Sequence, residues 1–529
     1  MTELKDRLQV PDNEKWKLTD IYDTIDDWEN DYKKIEMLII ELKEFNGDIH
    51  DGNRLLAYLT KSEEISSILS LMFAYARLQS DLDTRDTDAQ SLVDKVSQLH
   101  VKVSAAKSFF SPFLLSVEEN TLHSYIEETE GLLYSKLIED ENREKRKEAY
   151  KAYYKPYVQL KNSIASTLSS AIKNNVTVSK LRKYPSALEK SLFGDMVPKE
   201  VYENLIDTTK KNIQTLHTYN EIRKEKLNVD ELRQYDLSVD LVQGVKQDIP
   251  YDEAFDTMIA SLAPLGEEYI ETLKGFKDKR YIDVRETPGK RSGAYNFGVY
   301  GVHPFILLNH HDDLNSLFTL THECGHGMHT HYSHGYQPRI SAHYSIFVAE
   351  VASTVNEVLL IHYLLKEAKE TNVRNHLINY FIDSFKGTFF TQIMFAEFEK
   401  ITHEMAEQGK PLNAQVFSEI YEKLFREYNG DSLVFDEEVK YGWSRIPHFY
   451  RPFYVYKYAT GFASAIQIAD KLLSGDPNAQ KNYIEFLKGG SSDYPLNLLK
   501  KAGVDLTTPE PIESALNRFT QLVEEFSAL

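Results

Sequence analysis

Residues 317–336 read "LFTLTHECGHGMHTHYSHGY" and carry five of the 17 histidines of this 529-residue chain, together with its single cysteine. Just before and within this stretch, Leu314, Leu317 and Phe318 recur at the three- and four-residue spacing of a helix with one buried face. The pattern predicts a packed helix. The question that follows is which of its polar side chains carry chemistry.

The five residues "HECGH" place two histidines four positions apart, at His322 and His326. Residues at this spacing lie on one face of a helix, one turn apart, so that both imidazoles can bind one Zn²⁺ ion at about 2.0–2.1 Å. Glu323 is rotated by one residue and can reach a water on the metal. The pattern indicates a metal-assisted hydrolase, in which a carboxylate takes the proton of a metal-activated water. An exposed polar helix is the alternative interpretation, and the apolar turns before the motif argue against it.

A catalytic zinc usually has three protein ligands and one open position. His329 shares the face of His322 but lies about 10 Å further along the helix axis, and His331 points to the opposite side. A third ligand is therefore expected from another segment. In "SIFVAEVASTVNEVLL", residues 345–360, Glu350 lies among apolar residues, where an unpaired carboxylate would be costly to bury. We predict Glu350 as the third ligand.

Two further residues near these ligands have competing interpretations. Glu357 lies two turns beyond Glu350 on nearly the same helix face, where it could hydrogen-bond a ligating histidine. An ordinary salt bridge is the equal alternative for Glu357. Cys324 projects about 200° away from His322 at 100° per residue, so we predict that it packs in the core rather than binding metal.

The rest of the chain predicts a mostly α-helical fold with a minor β element. Apolar residues recur at helical spacing in "ISSILSLMFAYARLQ", and residues 280–308 combine short β-prone runs with a Pro-Gly turn signal. Asp312 or Asp313 is expected to cap the motif helix. Further helices are predicted at 342–368, 374–408, 413–428 and 452–473. Prolines and a glycine near residue 185 suggest a boundary between an N-terminal helical lobe, 1–185, and a catalytic domain, 186–529.

The composition restricts the classes of function. With 61 basic and 81 acidic side chains the formal charge is −20, which argues against nonspecific nucleic-acid binding. One cysteine excludes an internal disulfide framework and fits a reducing compartment. The N-terminal stretch is charged at once, and we find no run of 18 apolar residues. We therefore expect a cytoplasmic protein without a membrane partner, whose oligomeric state is left open.

The sequence resembles the thimet oligopeptidase-like zinc peptidases, and within them the oligoendopeptidase F branch. The resemblance rests on "HECGH" followed, 24 residues after His326, by Glu350 in "FVAEVAST". It extends over "SALEKSLFGDMVPKEVYENLI", "GKRSGAYNFGVYGVHPFILLN" and "RIPHFYRPFYVYKYATGFA", so that it covers nearly the whole chain. It implies two helical lobes that enclose a deep channel, one zinc ion per chain, and endopeptidase activity on short unstructured peptides.

The resemblance also implies site residues outside the motif helix. A histidine and tyrosines that stabilise the oxyanion of the tetrahedral intermediate would fall in "PHFYRPFYVYKY", for which we choose His448, Tyr450 and Tyr456. The alternative is that these tyrosines are core aromatics. Gly293 and Tyr295 are expected to contact substrate, with a close backbone approach of a plain strand as the alternative.

Two other functions remain open at this point. A helical peptide-binding scaffold without chemistry would need neither Glu323 nor a full ligand set. A metallohydrolase for folded proteins would share the site but not the size limit on substrates.

Overall fold

The computed structural model describes residues 7–44, 52–107, 137–242 and 248–528. In chain order its helices are α1 (Ile25–Lys43), α2 (Gly52–Leu82), α3 (Thr87–Lys107), α4 (Arg143–Leu181), α5 (Ala187–Phe193), α6 (Lys199–Lys211), α7 (Gln214–Lys226), α8 (Tyr251–Ser261), α9 (Glu267–Asp278), α10 (Leu314–Tyr336), α11 (Ile346–Glu367), α12 (Thr371–Phe385), α13 (Thr391–Glu407), α14 (Ala414–Asn429), α15 (Tyr456–Leu473), α16 (Ala479–Leu487), α17 (Pro495–Lys501) and α18 (Glu510–Ser527). The strands are β1 (Ile282–Asp283), β2 (Tyr295–Phe297) and β3 (Phe305–Leu307). A π-helical turn, Lys386–Phe390, joins α12 to α13, and short 3₁₀ segments span Glu437–Arg445 and Pro447–Tyr450.

The predicted mostly α-helical class with a small sheet is confirmed, and the differences lie in where helices begin and where one is interrupted. The helix predicted at 374–408 is two helices, α12 and α13, because the π-helical turn widens the backbone between them. The helix predicted at 452–473 begins only at Tyr456. Phe453 has φ +54°, and a residue in the left-handed region cannot continue a right-handed helix.

The first of two compact units consists of Met1–Glu118 and Gln247–His343. Its helices α1, α2 and α3 pack against one another around a buried core that includes Trp28, Ile35 and Leu99. The indole Nε1 of Trp28 donates a hydrogen bond to the carbonyl of Met72 at 3.0 Å, which satisfies a buried donor between α1 and α2.

The sheet in this unit has the order β1-β3-β2, with β1 parallel and β2 antiparallel to β3. Its strands are short, and β3 is buried along its whole length. Asp283 on β1 is also buried, and its carboxylate forms ion pairs with Lys290 at 2.8 Å and Arg7 at 2.6 Å. The two cations compensate the cost of burying that charge, so this edge of the sheet is tied to the N-terminal segment and to the turn before β2.

The second unit consists of Glu119–Lys246 and Tyr344–Leu529. It is helical in its described part, and α11 packs closely against α15. A Cβ atom added at Gly461 of α15 would lie 3.6 Å from the Cβ of Glu350 on α11. The predicted boundary near residue 185 falls inside this unit, and the functional domains 1–185 and 186–529 stay a prediction, as does a channel enclosed by two lobes.

One helix in the described part of the chain, α11, is long and apolar enough to span a membrane by length and composition. Of its apolar window, 67% is buried inside the protein. A buried core helix passes the same test, and the packing of α11 against α15 accounts for its apolar composition.

Candidate active site

The motif helix α10 is capped by Asp313, one of the two residues that the sequence offered for this position. The side chain of Asp313 accepts a hydrogen bond from the backbone N–H of Ser316 at 2.7 Å, which satisfies one of the free donors of the first turn. Gly327 lets α10 approach its neighbours closely: a Cβ atom at this position would lie 2.8 Å from the ring of Phe276 and 3.1 Å from Ile306 on β3. The side-chain amide of Asn296 on β2 donates to Thr330 Oγ1 at 3.0 Å. These contacts hold the sheet beside the motif helix.

His322 and His326 direct their imidazoles toward the same point. Their Nε2 atoms lie 3.1 Å apart, and the two rings meet at 82°. Both side chains are half-buried, so the face they share is open on one side. Two imidazole nitrogens that converge in this way are placed to bind one ion, as the spacing predicted.

Between the two histidines in sequence, Glu323 and Cys324 are both buried. Glu323 is 7% exposed, which places a carboxylate in a largely dry position next to the imidazole pair. Burial raises the pKa of the Cys324 thiol, so it stays protonated at neutral pH. A protonated, fully buried thiol is a packing residue rather than a metal ligand.

Among the described residues, one group of side chains could hold a metal ion, and it consists of His322, His326 and Glu350. Two imidazole nitrogens and one carboxylate oxygen form a donor set that catalytic zinc uses. Glu350 is half-buried on α11 rather than deeply buried, and its Oε2 atom accepts a hydrogen bond from Ser353 Oγ at 3.3 Å. These residues therefore fit a divalent metal such as zinc in both the type and the number of ligands.

The remaining candidates near the motif occupy different environments. Glu357 is half-buried two turns along α11 from Glu350, and its predicted role beside a ligating histidine stays a prediction. His329 is 1% exposed, and burial lowers its pKa to about 3, so its imidazole is neutral at physiological pH. His331 is exposed, and the ring of His334 lies 5.6 Å from that of Tyr300.

The side chains of the segment from Pro447 to Tyr458 differ in burial. Phe449, Phe453 and Tyr456 are at most 2% exposed, whereas the side chains at 448, 450, 454 and 458 are half-buried. The polar groups of this irregular turn therefore lie at the surface of the second unit, and its apolar rings point into the core.

His448 belongs to a small aromatic group formed with Tyr454 and Tyr458. Its ring stacks on Tyr454 at 5.8 Å and 22° and meets Tyr458 edge-on at 6.0 Å. The hydroxyl of Tyr458 lies 3.5 Å from His448 Nε2, at the long limit of a hydrogen bond. Burial, and then the nearby charge of Arg451, lower the pKa of His448, so its imidazole is neutral near pH 7.

The two predicted tyrosines occupy different places. Tyr450 shares a hydrogen bond of 2.9 Å with the hydroxyl of Thr167 on α4. Tyr456 is 1% exposed and packs against Tyr202 and Phe347, with ring centroids 5.1 and 5.9 Å away. Its buried hydroxyl has no hydrogen-bond partner among the described residues. These contacts are those of a core aromatic, which was the alternative interpretation, and the catalytic role of Tyr456 stays a prediction without support from its surroundings.

Tyr458 is a residue that the sequence reasoning did not select. Burial first, and then the hydroxyl of Tyr454 and the charge of Glu350, raise its pKa, so it remains a hydroxyl donor at neutral pH. The side chain of Tyr458 is half-buried, whereas that of Tyr456 is 1% exposed. In the sequence, tyrosines occur at positions 454, 456 and 458. This spacing marks three candidates but does not indicate which one faces the site, because that depends on the backbone conformation.

The predicted substrate contacts lie at the start of β2. Gly293 has φ +81°, and a Cβ atom there would meet no atom within 4 Å, so the glycine serves the backbone conformation of the turn rather than a close approach. Its carbonyl accepts a hydrogen bond from the Asn309 side chain at 2.7 Å. The hydroxyl of Tyr295 donates to Asp81 at 2.8 Å. Substrate binding by Gly293 and Tyr295 stays a prediction.

Comparison with known proteins gives consistent matches along the chain. The profile of Peptidase family M3 matches residues 136–518. Oligopeptidase PepF of Bacillus subtilis (strain 168) is 38% identical over 100% of this chain and 89% of its own length. Group B oligopeptidase PepB of Streptococcus agalactiae serotype III (strain NEM316) is 33% identical over 99% of this chain and 98% of its own length.

A solved structure agrees with these sequence matches. The crystal structure of oligoendopeptidase-F from Enterococcus faecium superposes with a TM-score of 0.70 at 30% identity, and it covers 95% of this chain and 98% of that chain. The resemblance drawn from the motif and the flanking segments is thereby confirmed, and the chain belongs to Peptidase family M3.

Proposed function

We propose that this protein is a zinc-dependent endopeptidase that hydrolyses internal bonds of short, unstructured peptides. The observation that carries the proposal is the pair of Nε2 atoms of His322 and His326, 3.1 Å apart on one helix face, with the buried carboxylate of Glu323 between them in sequence. The relatives named oligopeptidase and oligoendopeptidase support peptides as the substrate class.

In this proposal His322, His326 and Glu350 hold the metal. When bound, zinc would supply Lewis acidity, which lowers the pKa of a water and polarises the scissile carbonyl. Glu323 accepts the proton of the attacking water and then donates it to the nitrogen of the leaving amine. A largely buried carboxylate suits this role, because little solvent competes for its proton.

The group His448, Tyr454 and Tyr458 is proposed to bind the substrate carbonyl oxygen as negative charge develops on it. A neutral imidazole has one N–H donor, and a tyrosine with a raised pKa keeps its O–H donor, so both can donate at neutral pH. Preformed donors lower the energy of the oxyanion without reorganising during the reaction. We therefore assign Tyr458, rather than Tyr456, as the tyrosine donor. The cytoplasmic location and the absence of nucleic-acid partners stay predictions.

Digestion of a mixed library of short peptides tests this function. A folded protein and denatured casein are digested in parallel samples. We expect cleavage at internal bonds of short peptides, loss of cleavage with a chelator, and recovery when zinc is added back. Mass spectrometry of the products reports all three results together. Cleavage that survives complete removal of metal, or that is confined to chain ends, would overturn the proposal.

The assignment of Tyr458 gives a separate prediction. Replacing Tyr458 with phenylalanine removes one oxyanion donor and should lower kcat by roughly 10²–10³-fold with little change in KM. Tyr456→Phe is the matched control, because it removes a hydroxyl that lies in the core, and it should keep kcat within about threefold of the wild type. Steady-state kinetics on one peptide compares the two variants, and a larger loss in Tyr456→Phe would reverse the assignment.

A further inference from the structure

Glu399 on α13 is a buried carboxyl group outside the candidate ligand set. It is 1% exposed, and its Oε1 atom accepts a hydrogen bond from the backbone N–H of Phe453 at 2.9 Å. Its Oε2 atom is buried without a hydrogen-bond partner among the described residues. Burying a carboxyl group that makes so few hydrogen bonds is costly. The hydrogen bond with the Phe453 amide is the one hydrogen bond of this carboxyl group among the described residues, so its role depends on what that bond does.

Phe453 has a backbone conformation that its side chain does not favour. Its φ is +54°, and a bulky residue with positive φ persists only where its surroundings hold it. Pro452 precedes it and accepts a hydrogen bond from Ser191 Oγ at 2.9 Å. The ring of Phe453 is buried against Tyr202 and His403, with centroids 5.8 and 4.5 Å away. The hydrogen bond that the Phe453 N–H donates to Glu399 Oε1 adds a contact at the backbone itself.

The conformation of Phe453 decides where the polar side chains of the turn lie. Tyr454 follows it directly, and α15 begins at Tyr456 and carries Tyr458 in its first turn. His448 is stacked on Tyr454 and lies edge-on to Tyr458. A change of φ at residue 453 would redirect the chain between the histidine and both tyrosines.

We propose that Glu399 is a positioning residue for the peptidase site, whose carboxyl oxygen holds the amide of Phe453 in the left-handed turn that presents His448, Tyr454 and Tyr458 to substrate. This inference rests on the proposed function of the same site, and it adds a residue on another helix that touches neither metal nor substrate.

Burial of Glu399 favours its neutral carboxylic acid form, because an unpaired charge is costly there. Burial raises the pKa of Glu399 well above its usual value, and the single N–H bond from Phe453 lowers it only in part. A neutral carboxyl accepts the amide hydrogen through its carbonyl oxygen, and the side-chain amide of glutamine has the same oxygen in nearly the same place. Glutamine at position 399 should therefore preserve the hydrogen bond to the Phe453 amide. Leucine fills similar space but has no acceptor, so it should lose this bond.

Three variants of the full-length, zinc-loaded protein test the proposal. Glu399→Leu removes the acceptor, Glu399→Gln keeps it, and Thr402→Val is the matched control. Thr402 is equally buried on α13, and its hydroxyl bonds the carbonyls of Phe398 and Glu399 within the helix. Peptide kinetics are measured with zinc content, thermal stability and hydrogen exchange of the Phe453 amide.

We expect Glu399→Leu to lower kcat by at least about tenfold, because a displacement of about 1 Å in a catalytic group can cost as much as 10²-fold. KM, zinc content and melting temperature should stay near wild type, and the Phe453 amide should exchange faster. Glu399→Gln and Thr402→Val should keep the wild-type kcat, and in both variants the Phe453 amide should exchange as slowly as in the wild type. A role in stability alone would instead lower the melting temperature and leave kcat unchanged.

Wild-type kcat in a folded Glu399→Leu variant would overturn the proposal, as would equal losses in the leucine and glutamine variants, which would indicate a need for charge. If Glu399→Leu does not fold, the exchange rate of the Phe453 amide in wild type and Glu399→Gln decides: fast exchange in both would refute the hydrogen bond. Lack of peptide cleavage by the wild type would instead refute the proposed function, while the exchange measurement would still test the contact.

Discussion

The Glu323→Gln variant is expected to lose nearly all peptide hydrolysis while it keeps its zinc. Glutamine has the shape of glutamate but cannot accept the proton of the attacking water, and the loss of a general base lowers kcat by roughly 10²–10⁴-fold. The ligands His322 and His326 are unchanged in this variant. Steady-state kinetics on one short peptide and metal analysis of the same preparation check the two halves of the prediction.

The Glu323→Gln variant should fold like the wild type, because the substitution is nearly isosteric at a position that is 7% exposed. Its folding is measured as the control. Wild-type circular dichroism and melting temperature would show that the fold is intact. Hydrolysis at the wild-type rate would exclude Glu323 as the base, and loss of zinc together with activity would show that Glu323 supports metal binding instead.

The Glu350→Gln variant is expected to lose zinc affinity and, as a consequence, activity. An amide is a weaker and uncharged ligand than a carboxylate. The affinity should therefore fall by more than the roughly 10–100-fold that the loss of an outer hydrogen-bond partner costs. Competition with a chromophoric chelator measures the dissociation constant, and excess zinc should restore part of the activity.

Glu367→Gln is the matched control for Glu350, because Glu367 ends the same helix and is exposed. It makes the same change of charge and should leave zinc affinity and kcat unchanged. A Glu350→Gln variant that binds zinc as tightly as this control would show that the third ligand is another residue.

Two of the candidate metal ligands could be predicted from the sequence because they follow from local helix geometry. Spacing of four on one helix brings His322 and His326 together, and an acidic residue in an apolar helix marks Glu350 as a residue that needs a partner. The cap by Asp313 and the burial of Cys324 follow from the same helix. Apart from Glu350, which comes from another helix, these features depend on residues within a few turns of each other.

The tyrosines could not be chosen in the same way. Tyr454, Tyr456 and Tyr458 alternate along the chain, and Phe453 just before them is in the left-handed region with φ +54°. Positive φ is expected at glycine or asparagine, and a phenylalanine gives no such signal. The hydrogen bond that the Phe453 N–H donates to Glu399, 54 residues away in sequence, is equally invisible in the local pattern.

The division of the chain into compact units was also beyond local patterns. Residues 247–343, which include the sheet and the motif helix, belong to the same unit as the N-terminal 118 residues. The composition change near residue 185 coincides with the turn between α4 and α5, and the division at that residue stays a prediction. A unit built from two separate segments depends on long-range packing. The positions of proline and glycine predict turns and do not predict such packing.

X-ray absorption at the zinc edge of the zinc-loaded wild-type protein reports the ligands of the metal. We expect nitrogen and oxygen neighbours at about 2.0–2.2 Å, with the outer-shell scattering of two imidazole rings and no sulfur neighbour near 2.3 Å. A zinc–sulfur distance would place Cys324 in the site, and a third imidazole in place of a carboxylate would remove Glu350 from it. Either result would contradict a zinc site formed by His322, His326 and Glu350.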